Sequence, residues 1–292
     1  MYTLDIDLLR TFVAIADRGS FTRAADEVAK TQSAVSMQMK RLEQAVGRPL
    51  FVRNGRRSRL TADGERLLDY ARRMVRLNNE AMNAFTRPGI SGRVRIGTPD
   101  DYADRFLPEI MARFARSHPQ VQVEVECHVS MELMGRVNDG ELDLAIITRG
   151  GNLPPGDVIR VEQLRWVTSM RHDAHHEEVV PLAASHPGCV WRKMALDALE
   201  TAGRRYRIAY QSANSMAIAA AVTSGLAVAA IPEITLRPGM RVLGEDEGFP
   251  ALGTFEIGLI RSTRNTTSAV EALAAHVRDS VSDLGSLMVA AE

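Results

Sequence analysis

Residues 20–47 have the sequence SFTRAADEVAKTQSAVSMQMKRLEQAVG, a pattern that predicts two short helices joined by a tight turn. The hydroxyl of Ser20 can cap the first helix, and that of Thr31 can cap the second. In the second helix, apolar residues recur at helical spacing and so share one face. These residues are Val35, Met39, Leu42 and Val46. Gly47 then stands where helices commonly end.

The opposite face of the second helix is mostly polar. Its side chains can meet base edges or phosphates in a DNA groove. They are Gln32, Ser33, Ser36, Met37, Gln38, Lys40 and Arg41. An ordinary helical hairpin with a solvated polar face is the alternative, because helix-turn-helix geometry tolerates many sequences.

The next segment, RPLFVRNGRRSRLT, predicts a two-stranded wing. Asn54-Gly55 is a strong signal for the turn between the strands, and Leu50 and Phe51 anchor the wing to the core. Several arginines cluster here, which favours contact with phosphate or the minor groove over a merely solvated loop. They are Arg53, Arg56, Arg57 and Arg59.

Residues 8–53 together resemble the winged helix-turn-helix of LysR-type transcriptional regulators, and the match continues without a gap into LTADGERLLDYAR. The form TQSAVS-x-QM-x-RLE is similar to the branch that includes regulators of motility and virulence. The resemblance implies base reading through Gln32, Ser33, Ser36 and Met37. Many members have arginine where this chain has Met37, which cannot hydrogen-bond guanine but can touch a thymine methyl group.

A long helix is predicted from Thr61 to Phe85 and gives the linker segment 61–85. A set of its residues at steps of four and three follows a coiled-coil pattern with one polar position. The set is Leu67, Ala71, Met74, Asn78, Ala81 and Phe85. We expect this helix to form a dimer, the alternative being a helix packed on its own domain. Arg87-Pro88-Gly89 breaks it, so residues 86–92 are interpreted as a hinge.

Beyond the hinge, strand-like and helical segments alternate, which predicts a parallel sheet. The predicted strands are 94–99, 121–127, 142–148, 158–169, 206–211, 226–232 and 255–260. The predicted helices lie at 102–117, 130–140, near 193–202, near 214–224, and at 266–284. The run FEIGLI is expected to return toward the first set of strands.

The resemblance implies that this α/β part has two lobes joined by two crossings, like a periplasmic solute-binding protein. We therefore divide the chain into a winged helix-turn-helix domain over 1–60, the linker and hinge above, and an effector-binding domain over 93–292. Lobe I is expected to comprise 93–161 and 263–292, and lobe II 162–262.

Polar residues at strand ends predict a small-molecule cleft, because ligands of open α/β sheets bind beyond the carboxyl ends of strands. The candidates are Thr98, Asp100, Ser130, Thr148, Trp166, Ser212 and Asn214. Any one of them could simply cap a helix, and tryptophans are more often core residues. Helix N-termini favour an anionic effector, although the net acidic charge of this half argues against a strongly anionic one.

Charge and motifs limit the class of protein. The 292 residues carry no net charge, but residues 1–90 have a net charge of +6 and the remainder −6. A basic N-terminal module suggests that only this end meets nucleic acid. No dinucleotide-binding, P-loop or nucleophile-elbow motif is present, so we expect no enzyme and no cofactor.

Cysteine and histidine usage predicts neither disulfides nor a metal site. Cys127 and Cys189 make no disulfide framework. His172, His175 and His176 do not have the spacing of a common metal site, and we expect them in a solvated loop. The N-terminus lacks the features of a signal peptide and no apolar run is long enough for a membrane span, which predicts a cytoplasmic protein.

These observations predict a sequence-specific, DNA-binding transcriptional regulator that senses a small effector. It should bind a partly palindromic double-stranded site as a homodimer or homotetramer. One alternative is a repressor without a ligand, whose α/β body serves only for oligomerisation. Another is a solute-binding protein or enzyme with a fused helical domain.

Overall fold

The computed structural model describes residues 3–54, 57–86, 89–150 and 156–283. The chain forms two compact units, the first over Met1–Gly89 and the second over Ile90–Ser282. Each unit has a hydrophobic core of its own. The described part therefore divides into a small N-terminal unit and a larger α/β unit.

The first unit consists of helices around a short hairpin. Its elements are α1 (Ile6–Arg18), α2 (Phe21–Glu27), α3 (Gln32–Val46), β1 (Phe51–Asn54), β2 (Arg57–Leu60) and α4 (Ala62–Thr86). The predicted caps are present, since Ala34 N donates to Thr31 Oγ1 at 3.2 Å and Arg23 N to Ser20 Oγ at 3.5 Å. Gly47 ends α3 with a φ of 74°, a left-handed conformation that glycine adopts without strain.

One core holds this first unit together. The apolar face predicted for α3 is buried against α1, and the Phe51 ring of the hairpin packs edge-on against those of Phe12 and Phe21. The start of α4 lies close to β1, because a Cβ built on Gly64 would stand 2.2 Å from the carbonyl oxygen of Leu50. Such an approach requires glycine, so Gly64 helps to position α4 on the domain.

The second unit is an α/β structure of the predicted kind. Its strands are β3 (Gly92–Thr98), β4 (Val121–Cys127), β5 (Leu144–Arg149), β6 (Asp157–Ser169), β7 (Val180–Ala184), β8 (Tyr206–Gln211), β9 (Ala229–Pro232), β10 (Met240–Leu243) and β11 (Thr254–Arg261). Its helices are α5 (Asp100–Ser117), α6 (Ser130–Asp139), α7 (Val190–Thr201), α8 (Ser215–Thr223) and α9 (Ser268–Asp283). Two short strands, β7 and β10, were not predicted from the sequence.

Strand β6 joins two lobes in one sheet of order β10-β6-β11-β5-β3-β4, with β9 also paired to β6. Its first half pairs with β11 and its second half with β9 and β10. In the second lobe, β7 and β8 form a parallel pair. Strand β11 pairs along its length with β5, so it belongs to the first lobe although the sequence-based boundary at residue 262 assigned it to the second. Pairing with a strand more than a hundred residues away decides this membership.

None of the helices in the described ranges combines the length and the apolar character needed to cross a membrane.

Candidate nucleic-acid interface and ligand cavity

The exposed face of α3 carries most of the predicted base-reading set. Gln32, Ser33 and Met37 are exposed, and Ser36 is half-buried. Met37 leaves 66% of its surface accessible. Lys40 and Arg41 are exposed one turn further along. These side chains can therefore approach a groove without rearrangement of the helix.

Gln38 is placed differently from the prediction. Its amide nitrogen donates to Asp7 Oδ2 at 2.8 Å, and its amide oxygen accepts from Thr11 Oγ1 at 2.9 Å. Thr11 is fully buried on α1. Gln38 thus links α3 to α1. It follows Gln32 by six residues, so its side chain lies on a different side of the helix and faces α1 rather than a groove.

The wing forms as a hairpin in which Phe51 pairs with Leu60 and Asn54 with Arg57. Among its arginines, Arg59 is exposed. Arg56 lies outside the described residues, as do the side chains of Arg53 and Arg57. The phosphate contacts predicted for these three remain predictions.

The predicted seam of α4 divides between two faces. Ala71 is fully buried and Leu67 packs against the same core of the first unit, so the N-terminal part of the seam is used within the domain. Met74 and Ala81 are exposed, whereas the side chain of Phe85 lies outside the described residues. Asn78 is half-buried. An exposed stripe runs instead through Tyr70, Met74, Leu77 and Ala81.

A cavity of about 460 Å³ lies within the second unit. Its wall is built from the carboxyl ends of β4, β5, β7 and β8 and from the starts of the helices α5, α6, α7 and α8. This is the place where open α/β sheets bind ligands. Six of the seven predicted candidates line it, namely Asp100, Ser130, Thr148, Trp166, Ser212 and Asn214. Thr98 does not, because it is fully buried and its hydroxyl donates to Pro99 O.

The carboxylate of Asp100 lies at the N-terminus of α8, where the sequence analysis predicted an anionic ligand. Its Oδ2 accepts hydrogen bonds from Ser215 N at 2.7 Å and from Ser215 Oγ at 3.0 Å, which links α5 of one lobe to α8 of the other. Asn214 caps the same helix, accepting from Ala217 N at 3.1 Å. A carboxylate of the chain thus takes the position that the dipole of α8 favours for an anion.

The other candidates in the wall make structural hydrogen bonds. Ser130 Oγ accepts from Thr148 N at 3.0 Å, and the hydroxyl of Thr148 lies 2.7 Å from that of the buried Tyr102. The indole nitrogen of Trp166 donates to Pro250 O at 3.0 Å. Ser212 Oγ accepts from Asn214 N at 3.1 Å. These groups shape the cavity, and their main polar atoms are largely satisfied.

Two further residues of the cavity wall were not among the predicted binding residues, and their polar groups are less fully hydrogen-bonded. Asp101 is only 5% exposed, and its Oδ1 accepts from Tyr102 N at 3.0 Å. Burial, together with the neighbouring charge of Asp100, raises the pKa of Asp101 to about 7. Trp191 packs its ring edge-on against that of Tyr102 and lines the cavity. A second acid next to Asp100 was the available sequence signal, but its burial was not predictable.

Comparison with known proteins accounts for both units. Residues 6–65 match the family described as "Bacterial regulatory helix-turn-helix protein, lysR family", and residues 87–282 match "LysR substrate binding domain". The chain belongs to the LysR family of transcriptional regulators. This LysR regulator is therefore a DNA-binding protein with an effector-sensing domain and not an enzyme, and members of its family act as oligomers.

Relatives of this LysR regulator match nearly its whole length. It is 40% identical over 276 residues to the HTH-type transcriptional regulator DgdR of Burkholderia cepacia, covering 94% of each chain. It is 37% identical to PecT of Dickeya dadantii (strain 3937), covering 92% of this chain and 85% of PecT. Vibrio fischeri DarR, solved in complex with DNA, shares the fold with a TM-score of 0.55 at 18% identity, covering 94% of this chain and 99% of that chain.

The histidine cluster of this LysR regulator is not a solvated loop as predicted. His175 is only 1% exposed, whereas His172 and His176 are exposed. Asp173, His175 and His176 place potential ligand atoms within 4.8 Å of one another. However, Arg241 Nη2 donates to His175 Nε2 at 2.8 Å, and burial followed by the charges of His176 and Arg241 lowers the pKa of His175. A guanidinium at this distance opposes a metal cation.

Proposed function

We propose that this LysR regulator reads its operator with the exposed face of α3 and senses its effector in the cavity of the second unit. We assign residues 1–60 to DNA binding, 61–85 to the linker helix, 86–92 to a hinge and 93–292 to effector binding. Such a regulator works where the chromosome is, in the cytoplasm. The observation that carries the effector assignment is a cavity enclosed by strand ends and helix starts of both lobes.

Operator reading is assigned to Gln32, Ser33, Ser36 and Met37. Their exposure on one helix supports direct contact with base edges, and Lys40 and Arg41 add positive charge for nearby phosphates. The arginines of the wing are assigned to phosphate, where they contribute affinity without sequence preference.

Dimer formation is assigned to α4, with a seam revised from the sequence-based one. Tyr70, Met74, Leu77 and Ala81 follow steps of four, three and four, the spacing of a coiled-coil seam. Large apolar side chains exposed along one helix support a second copy as the partner, because a partly palindromic operator needs two recognition helices.

The effector assignment is tested by filling the cavity. Ala213 is an exposed loop residue of the wall, so a tryptophan there can occupy the cavity without overpacking the core. We expect compounds from a metabolite panel to raise the melting temperature of the wild type but not that of Ala213→Trp. A ligand at about one hundred times its dissociation constant stabilises the folded state by about 2.7 kcal/mol.

The matched control is Ala220→Trp. Ala220 is exposed on α8 and does not belong to the cavity wall, so this variant should respond like the wild type. Equal stabilisation of wild type and Ala213→Trp would place the effector site elsewhere.

A further inference from the structure

The first turn of α7, in the second lobe, packs against three elements of the first lobe. The ring centroid of Trp191 lies 6.0 Å from that of Tyr102 on α5 and 5.4 Å from that of Phe255 on β11. Val190, one residue earlier, packs against Gly150, which directly follows β5. The start of α7 is therefore a place where the spacing of the two lobes is set by direct contact.

Gly150 has no room for a side chain. A Cβ built on it would stand 2.6 Å from Val190 Cγ2 and 2.9 Å from Val190 Cγ1, whereas carbon atoms in contact normally lie about 3.5–4.0 Å apart. The φ of Gly150 lies outside the left-handed region, so its backbone conformation would accept other residues. The close approach of the second lobe is thus what requires glycine here.

Rotation of the Val190 side chain does not relieve this clash. The two methyl groups of a valine occupy two of three staggered positions, so every other rotamer retains one of the two clashing positions. Valine is also stiff at χ1 within a helix. On the other side of the contact, Arg149 is paired with Glu256 in the sheet, which holds the residue before Gly150 in place. A side chain at position 150 should therefore displace α7 from the end of β5.

A displacement of α7 would change the cavity. Val190 and Trp191 belong to the cavity wall, and the rest of the wall comes from both lobes. A second contact between the lobes is the hydrogen bond from Ser215 N to Asp100 Oδ2, at 2.7 Å. Separation of the lobes at α7 should widen the cavity and weaken this bond.

We propose that Gly150 and Val190 are positioning residues that set the spacing of the two lobes around the cavity. The missing side chain at 150 allows the approach, and the two methyl groups at 190 limit it. This inference goes beyond the proposed function, because it concerns the lobes themselves and holds whichever compound the cavity binds.

A compensating pair of substitutions tests the contact. Gly150→Ala should push the lobes apart. Val190→Ala removes both methyl groups, so that the nearest atom of residue 190 to the added carbon is its Cβ, at 3.4 Å, an ordinary contact distance. The double variant Gly150→Ala/Val190→Ala should therefore regain the spacing of the wild type. Two substitutions that damaged packing independently would instead add their effects.

Hydrogen-exchange mass spectrometry of the full-length protein without ligand measures the spacing. The amide of Ser215 is the reporter, because its hydrogen bond crosses between the lobes. We expect this amide to exchange about tenfold faster in Gly150→Ala, which corresponds to about 1.4 kcal/mol and lies within the usual cost of overpacking. Val190→Ala and the double variant should stay within about twofold of the wild type. The amides of Val94 and Ile96, on a buried strand of the first lobe, report global unfolding.

Two other glycines supply matched controls. A Cβ at Gly97 would stand 2.4 Å from Leu133 Cδ2, a clash confined to the first lobe. Gly97→Ala should lower the melting temperature, and Val190→Ala should not rescue it. A Cβ at the exposed Gly135 meets nothing within 4 Å, so Gly135→Ala should leave exchange at Ser215 unchanged.

The outcomes decide the inference without a ligand. Faster exchange at Ser215 in Gly150→Ala, reversed in the double variant, supports it. Wild-type exchange in Gly150→Ala, or faster exchange that Val190→Ala does not reverse, overturns it. If Gly150→Ala does not fold, a folded double variant with wild-type exchange supports the contact, and a double variant that also fails to fold overturns it. Failure of the Ala213→Trp experiment would overturn the effector site and leave this result standing.

Discussion

Gln32 and Gln38 lie on the same helix and show how the position of a residue decides its use. Gln32 is exposed at the start of α3, whereas the amide of Gln38 is held by Asp7 and Thr11 of α1. The two side chains have the same chemistry and the same capacity to read adenine. Only the first is oriented so that it can do so.

At the residue scale we therefore expect opposite effects of two alanine substitutions. Gln32→Ala should cost about 1–3 kcal/mol of binding to a cognate site selected in vitro, with an unchanged melting temperature. Gln38→Ala should remove two hydrogen bonds between α3 and α1 and destabilise the first unit by about 1–3 kcal/mol, because each hydrogen bond contributes about 0.5–1.5 kcal/mol. Fluorescence anisotropy on cognate and scrambled duplexes, with thermal unfolding of each variant, measures both effects. Loss of cognate preference in a fully stable Gln38→Ala protein would contradict this division.

Helix α4 has two apolar faces, one packed on the core of the first unit and one exposed. Residues advance by about 100° around an α-helix, so Leu67, Ala71 and Val75 share one face, which packs on the core of the first unit. Tyr70, Met74 and Leu77 lie on another face and are exposed. A strict coiled-coil pattern with one seam does not describe such a helix, because its N-terminal half is shared with its own domain.

At the scale of this element we predict that Leu77→Glu shifts the protein from dimer to monomer. Leu77 is 66% exposed in the single chain, so the charge should leave the fold intact and act on association alone. An unpaired charge buried in an apolar seam costs several kcal/mol, which raises the dissociation constant by about a hundredfold or more. Analytical ultracentrifugation over a concentration series measures this.

Two further variants of α4 serve as controls for this experiment. Asp69→Lys changes an exposed charge on a different face and should leave association unchanged. Ala71→Glu places a charge in the core and should lower the melting temperature of the first unit. A Leu77→Glu protein that assembles like the wild type would remove this face from the interface.

Within the second unit, contacts between the lobes involve residues far apart in the chain. Asp100 binds Ser215, and Asp104 binds Arg237, so α5 of the first lobe holds two elements of the second. The first contact is the stronger candidate for a link, because it combines backbone and side-chain donors at a helix N-terminus. The second joins partly exposed side chains and should contribute little.

At the scale of the molecule we predict that Asp100→Ala loosens the start of α8. The amide of Ser215 should exchange with solvent about tenfold faster, since losing a charge-assisted hydrogen bond at a helix N-terminus costs about 1 kcal/mol or more. Hydrogen-exchange mass spectrometry of the full-length protein measures this. Asp104→Ala should change exchange at Ser215 much less. Unchanged protection of Ser215 in Asp100→Ala would show that this contact does not hold the lobes together.

The sequence by itself determined the local elements of the DNA-binding unit and the order of the α/β unit. Caps at Ser20 and Thr31, the end of α3 at Gly47 and its buried face depend on residues a few positions apart, so their spacing specifies them. The strand at 121–127 was predicted to the residue, because it alternates and is bounded by turns. The region of the cavity followed from the general rule for strand ends.

Tertiary structure alone decided which polar groups remain available. The N-terminus of α8 is taken by Asp100, which precedes Ser215 by 115 residues, and Gln38 is taken by α1. The burial of Asp101 and the division of α4 between two faces likewise depend on packing against distant segments. Hydrogen bonds and desolvation act through space, and so the neighbours of a residue along the chain do not specify its partners in the fold.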